Sequence, residues 1–133
     1  MTVCLVLFSC TTQKSSDEKP PLYEILKQDE QGGANFRFFE IVTEKKEFKM
    51  LLNDKDLKRK INPSDINTCN FLLLNMGEKN SGGYSFSIEN IEETENDIII
   101  TIKENGPKGV ATTVMTYPLS IVKINSKKNI IIK

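Results

Sequence analysis

The chain has 133 residues, enough for one domain around one core. Its 18 lysines and arginines balance 18 aspartates and glutamates, so no net field would gather nucleic acid or an anionic membrane surface. Histidine is absent, which excludes a histidine-based triad and removes the commonest zinc ligand; the cysteines at 4, 10 and 69 show no C-x-x-C spacing to compensate. None of the carboxylates sits in a recognisable catalytic motif, so the expectation is a protein without catalytic residues, metal or cofactor.

Residues 1–9, Met-Thr-Val-Cys-Leu-Val-Leu-Phe-Ser, form an apolar run that stops at Cys10. A polar stretch closing on Pro20-Pro21 follows, and the pair reads as a secretion signal and a tether over residues 10–21. Leu7-Phe8-Ser9-Cys10 resembles the bacterial lipobox, in which a small residue precedes a cysteine that is lipidated. Phe8 is bulkier than usual there, and no basic region precedes the run: either the start lies upstream or the signal is unusually short. A short buried strand from Val3 to Phe8 is the alternative, against which stand the polar stretch and the two prolines. The run is too short to span a bilayer, which takes about 20 residues. The lipoprotein resemblance implies several acyl chains on Cys10, palmitate among them, and attachment to the extracytoplasmic face of a bacterial membrane through this anchor only. With Cys4 removed and Cys10 acylated, Cys69 would be a lone buried thiol beside Phe71-Leu72-Leu73-Leu74.

From Leu22 onward, short β-type runs alternate with turn residues, which predicts a mostly β domain over residues 22–133: an antiparallel sandwich or flattened barrel. Leu22–Lys27 and Phe36–Val42 are the first two strands, and the Gln31–Asn35 turn between them predicts a hairpin. Between residues 44 and 61 the period changes, with Phe48, Leu51 and Leu52, then Leu57 and Ile61, at helical spacing. This predicts one helical insertion, capped by Thr43, stopped by Pro63 and divisible at Asn53-Asp54. Strands resume at Asn70–Met76 and Tyr84–Ile88; the alternation slips at Ile91, which predicts a bulge near Asn90. Ile98–Lys103, Val110–Thr116, Leu119–Ile124 and Ile130–Lys133 complete the series.

Gly77-Glu78-Lys79-Asn80-Ser81-Gly82-Gly83-Tyr84 is the most distinctive segment. It joins two predicted strands and lacks the lysine, serine or threonine and helix that follow a phosphate-cradling loop, so nucleotide binding is not expected. A tight β-connection is the plain reading, and at least one of Gly82 and Gly83 should hold a positive φ.

This motif, followed by an alternating strand, Gly106-Pro107, Thr116-Tyr117-Pro118 and Ile121–Ile124, resembles the PrcB C-terminal-domain family from about Phe36 onward. Asn80-Ser81 departs from it, the family more often having proline and threonine there. The resemblance implies an accessory or stabilising subunit of a surface, protease-type complex, hence a protein partner. A second likeness is to chagasin-like inhibitors of cysteine proteases, through Gly83, Tyr84 and Phe86, which implies inhibition as the alternative. The candidate binding loops are Lys79, Asn80, Ser81, Gly82, Gly83, Tyr84 and Phe86 in the first, Gly106 and Pro107 in the second, and Tyr117 and Pro118 in the third. Loops on a rigid scaffold carry recognition.

Overall fold

A computed structural model describes residues 20–133. The expected signal, Cys10 and all of the tether except its two prolines lie outside these residues. The fold is mostly β, in two sheets. Strands β1 (Tyr23–Asp29), β2 (Phe38–Val42), β3 (Asn70–Asn75) and β6 (Leu119–Ile124) form a four-stranded antiparallel sheet in the order β1-β6-β3-β2. Strands β4 (Ser85–Glu93), β5 (Asp97–Asn105) and β7 (Asn129–Ile132) form a second sheet in the order β4-β5-β7.

The central strands of the first sheet read as continuous apolar runs because both faces are covered. Phe71 and Ile121 point to one side, into a cluster with Phe48, Leu51, Leu57 and Ile61. Leu72, Leu74, Val122 and Ile124 point to the other, against Ile98, Ile100 and Ile130 of the second sheet. Successive side chains of a strand face opposite ways, so alternate residues of one apolar run serve two cores. The helical insertion is therefore a third layer over the first sheet.

That layer is less regular than expected. Helix α1 covers only Lys45–Leu52, with Phe48 and Leu51 buried beneath it. Its N-cap is Glu44, not Thr43, and makes no side-chain cap bond. Beyond Asn53 the chain continues in turns that still bury Leu57 and Ile61, then in a 3₁₀ turn at Pro63–Asn67. Lys27 of β1 ties the layer down, its ammonium lying 2.9 Å from Asp54 and 3.1 Å from Asp56. Burial alone would raise the Asp54 carboxyl, but its hydrogen bond with Lys27 wins and holds it below the usual range. Burial likewise works against the Lys27 ammonium, and its bonds to Asp54 and Asp56 raise it on balance.

Other expectations need correction. β1 and β2 do not pair as a hairpin: β1 lies against β6 and β2 against β3. β7 runs parallel to β5, so the second sheet is mixed. Val110–Thr116 is not a strand; Val110 and Val114 are exposed, and only Thr116 pairs, through an isolated bridge to Lys79. The bulge in β4 is present, its register slipping between Ile88 and Asn90.

Candidate functional site

Strand register fixes the polarity of the domain. Tyr23 and Asn70 both pair with Ile124 at one end of the first sheet, whereas Asp29 and Asn75 both pair with Leu119 at the other. The chain comes into the sheet at the first end, where the Asn125 side-chain amide donates to the Pro21 carbonyl at 2.6 Å. The three loops singled out in the sequence gather at the second end, about 20 Å away by the rise of a seven-residue strand.

Their contacts are specific. Lys79 and Thr116 exchange backbone hydrogen bonds, both 2.8 Å, and the buried Thr116 hydroxyl donates to the Ser81 carbonyl at 2.7 Å. Gly82 N–H donates to the Thr112 carbonyl at 3.2 Å. Of the glycine pair only Gly83 has a positive φ, +90°. A Cβ built there would stand 2.8 Å from Cβ of Pro107, so this glycine allows both the turn and the approach of the second loop. Gly106 lies close to the Tyr84 ring, over which the Lys79 ammonium sits 5.2 Å from the centroid.

The organiser of this end was not foreseen. The turn after β1 brings Glu30 against the motif, where its carboxylate accepts from Gly83 N–H at 2.9 Å while its carbonyl accepts from Tyr117 N–H at 2.6 Å. Gly33 N–H donates to the Tyr117 carbonyl at 2.8 Å, and Gln31 reaches the Met115 carbonyl at 3.1 Å. A single glutamate in a polar turn carries no sequence signal of such a role. Its partners lie more than fifty residues further along the chain.

Two hollows flank the Gly83 segment and share Glu30 as a wall. One, of about 310 Å³, is lined by Gln28, Glu30, Tyr84, Ser85 and Pro118 among others. The other, of about 490 Å³, is lined by Asn105, Pro107, Val110 and Thr112 with Glu30 and Gly82.

The candidates differ in availability. Lys79, Tyr84 and Tyr117 are half-buried, Asn80, Gly83, Gly106 and Pro107 are exposed, and Gly82 and Pro118 are buried. Ser81 is half-buried. Phe86 is 3% exposed and packs edge-on against Phe39 at 5.5 Å, so its side chain belongs to the core between the sheets. Cys69 is a buried free thiol whose Sγ lies 3.4 Å from Asn125 Oδ1. Among the described residues there is no cluster of three metal-ligating side chains, and no helix is long and apolar enough to cross a membrane.

Residues 71–125 match the family described as PrcB C-terminal, as the loop motifs had led one to expect. The match begins in β3, takes in all three candidate loops and ends just after β6; the Glu30 turn lies outside it. An uncharacterized protein of Methanocaldococcus jannaschii is 36% identical over 59 residues, which is 44% of this chain and 36% of that protein. This chain's match thus spans little more than a third of that relative's length. No solved structure matches it.

Proposed function

We propose that this chain, whose residues 71–125 match the PrcB C-terminal family, is a membrane-anchored accessory subunit that binds a protease-type partner through the loop cluster. The observation that carries this reading is the gathering of three sequence-distant loops at the end of the sheet remote from Pro21, where Glu30 bonds to the first at Gly83 and the third at Tyr117 while Pro107 of the second closes on Gly83. A lipid on Cys10 would hold the opposite end toward the membrane and turn the loops outward to a partner. Lys79, Tyr84 and Pro107 supply a cationic, an aromatic and an apolar contact on a backbone held by hydrogen bonds, the kind of pre-ordered surface on which binding loses little entropy.

Inhibition of papain-like proteases has less support. Of its Gly-Tyr-x-aromatic spacing, Phe86 is buried and only Gly83 and Tyr84 reach the surface.

The test is affinity capture from native membranes with mass spectrometry, comparing wild type, Cys10→Ser and the double variant Lys79→Glu/Tyr84→Ala. Wild type should partition into detergent and recover a protease. Cys10→Ser should partition into the aqueous phase yet bind the same partner in solution, and the double variant should stay anchored but lose it. Equal partitioning of wild type and Cys10→Ser would refute anchoring. Undiminished capture by the double variant would refute the loop cluster as the contact, and full inhibition of papain-like proteases by the purified protein would favour the inhibitor.

A further inference from the structure

The charges that cancel over the whole chain leave a local excess of cations on the helical layer. We infer that the outer face of the helical layer is a docking surface for an anionic phospholipid bilayer. Lys45, Lys46 and Lys49 of α1, and Lys55, Lys58 and Arg59 of the turns after it, are all exposed. Phe48, Leu51 and Leu57 of the same stretch are buried against the first sheet, which leaves the cations on the outward side. None of the six forms an ion pair among the described residues. Two of the carboxylates in this stretch, Asp54 and Asp56, are both engaged by Lys27. Glu44 and Glu47 at the start of the helix are what remains to oppose the patch. On and beside the second sheet, exposed Glu89, Glu92 and Glu95 are interspersed with exposed Lys103, Lys108 and Lys133, all outside any ion pair among the described residues, so both signs are present there. The local excess of unpaired cations on the helical layer would turn that layer toward a negative surface.

One side chain selects the kind of surface. Met50 is 62% exposed on the helix that carries the lysines. A nucleic-acid backbone would neutralise the cations and leave Met50 in water. The headgroup boundary of a bilayer accepts an apolar tip among lysines and gains from both. Position agrees, since Val42 pairs with Phe71 at the end of the sheet where the chain comes in, so α1 begins beside that point. The inference deepens the anchoring reading and rests on it only for its biological setting.

The measurement is flotation of full-length Cys10→Ser with vesicles of phosphatidylglycerol and phosphatidylcholine, and with phosphatidylcholine alone. Binding should require the anionic lipid and be released in about 1 M salt, where charges separated by more than about 3 Å are screened. Each cation near the surface contributes about a fivefold factor in affinity, so reversing Lys45, Lys49, Lys58 and Arg59 to glutamate should weaken binding more than about a hundredfold. Because these side chains are exposed, that variant should keep the wild-type circular dichroism. Met50→Ser, a milder change, should weaken binding severalfold. Equal binding to both vesicle types, or binding that survives the charge reversal, would overturn the inference, since residues 1–9 are intact in every variant. So would binding to duplex DNA, or salt-sensitive self-association, without vesicle binding. The assay contains neither acyl chain nor partner, so its failure is separable from failure of the anchoring and loop-cluster readings.

Discussion

Replacing Gly83 by alanine tests whether the loop cluster is built around a glycine or merely contains one. At φ +90° an L-residue costs about 1–2 kcal/mol through the clash of its Cβ with backbone. The new Cβ would also lie 2.8 Å from Cβ and 3.0 Å from Cα of Pro107, atoms of a rigid ring that cannot swing away. Forcing a methyl group into such a contact costs about 1–3 kcal/mol more. Gly109 isolates the first contribution: its φ is +83°, yet nothing lies within 4 Å of its Cβ position. Gly109→Ala should therefore cost at most about 1–2 kcal/mol, and Gly83→Ala about 2–5 kcal/mol. At this size each kcal/mol lowers Tm by about 4 °C, which puts Gly83→Ala roughly 8–20 °C below wild type. Melting followed by circular dichroism, checked by urea titration at constant m, reads the difference. If the two variants melt together, the contact with Pro107 contributes nothing; if both melt like wild type, neither positive φ is a requirement of the fold.

Lys27→Met should destabilise the domain by about 1 kcal/mol at neutral pH, since the ion pair it breaks is only partly buried. Asp54 is held below its ordinary 3.8, so its share of stability is present above that value and lost as pH falls through the lower folded pKa. Lys27 is raised above 10.5, so its share is present below that value and lost as pH rises through the folded pKa. The gap between wild type and variant should therefore be flat through neutrality and narrow at both extremes in pH-dependent urea titrations; a gap that widens in acid would contradict the pairing. Phe71→Ala should cost about 3–5 kcal/mol, because the ring is fully buried and stacks on Phe48 at 4.7 Å. Chemical denaturation measures it, and a loss below about 1 kcal/mol would mean the helical layer is not packed as described.

What the sequence discloses is which residues are buried; against what they are buried is decided elsewhere. Apolar and β-branched runs located β3, β5 and β6 within a residue or two and β4 at its start, and the slip at Ile91 revealed the bulge, although β4 continues to Glu93, through residues polar enough to look like a turn. The same alternation made Val110–Thr116 look like a strand, but no neighbouring strand offers it a ladder, and Val110 is wholly exposed. The nearness of β1 and β2 in sequence suggested a hairpin. Each finds a better apolar neighbour among residues far away, β1 in β6 and β2 in β3. Leu57 and Ile61 kept helical spacing without a continuous helix, because single turns closed by Lys58 N–H to the Asp54 carbonyl and Ile61 N–H to the Leu57 carbonyl place their side chains in the core as well. At the candidate site the glycines and Tyr84 stood out as a motif, whereas Glu30 acts only through atoms that folding brings to it.

The position of β6 has a consequence for how the chain becomes a domain. It lies between β1 and β3, yet it spans residues 119–124 and follows both of them in sequence. Before those residues are available, β1 has no neighbour in its sheet, and β3 has only the edge strand β2. Pairings of such long sequence separation must close large loops before any contact rewards them, so the domain should fold late and as a unit. A chain emerging from the ribosome would stay without its first sheet until Leu119–Ile124 had been made, and would remain loose enough to be threaded through a narrow channel for almost the whole of its synthesis.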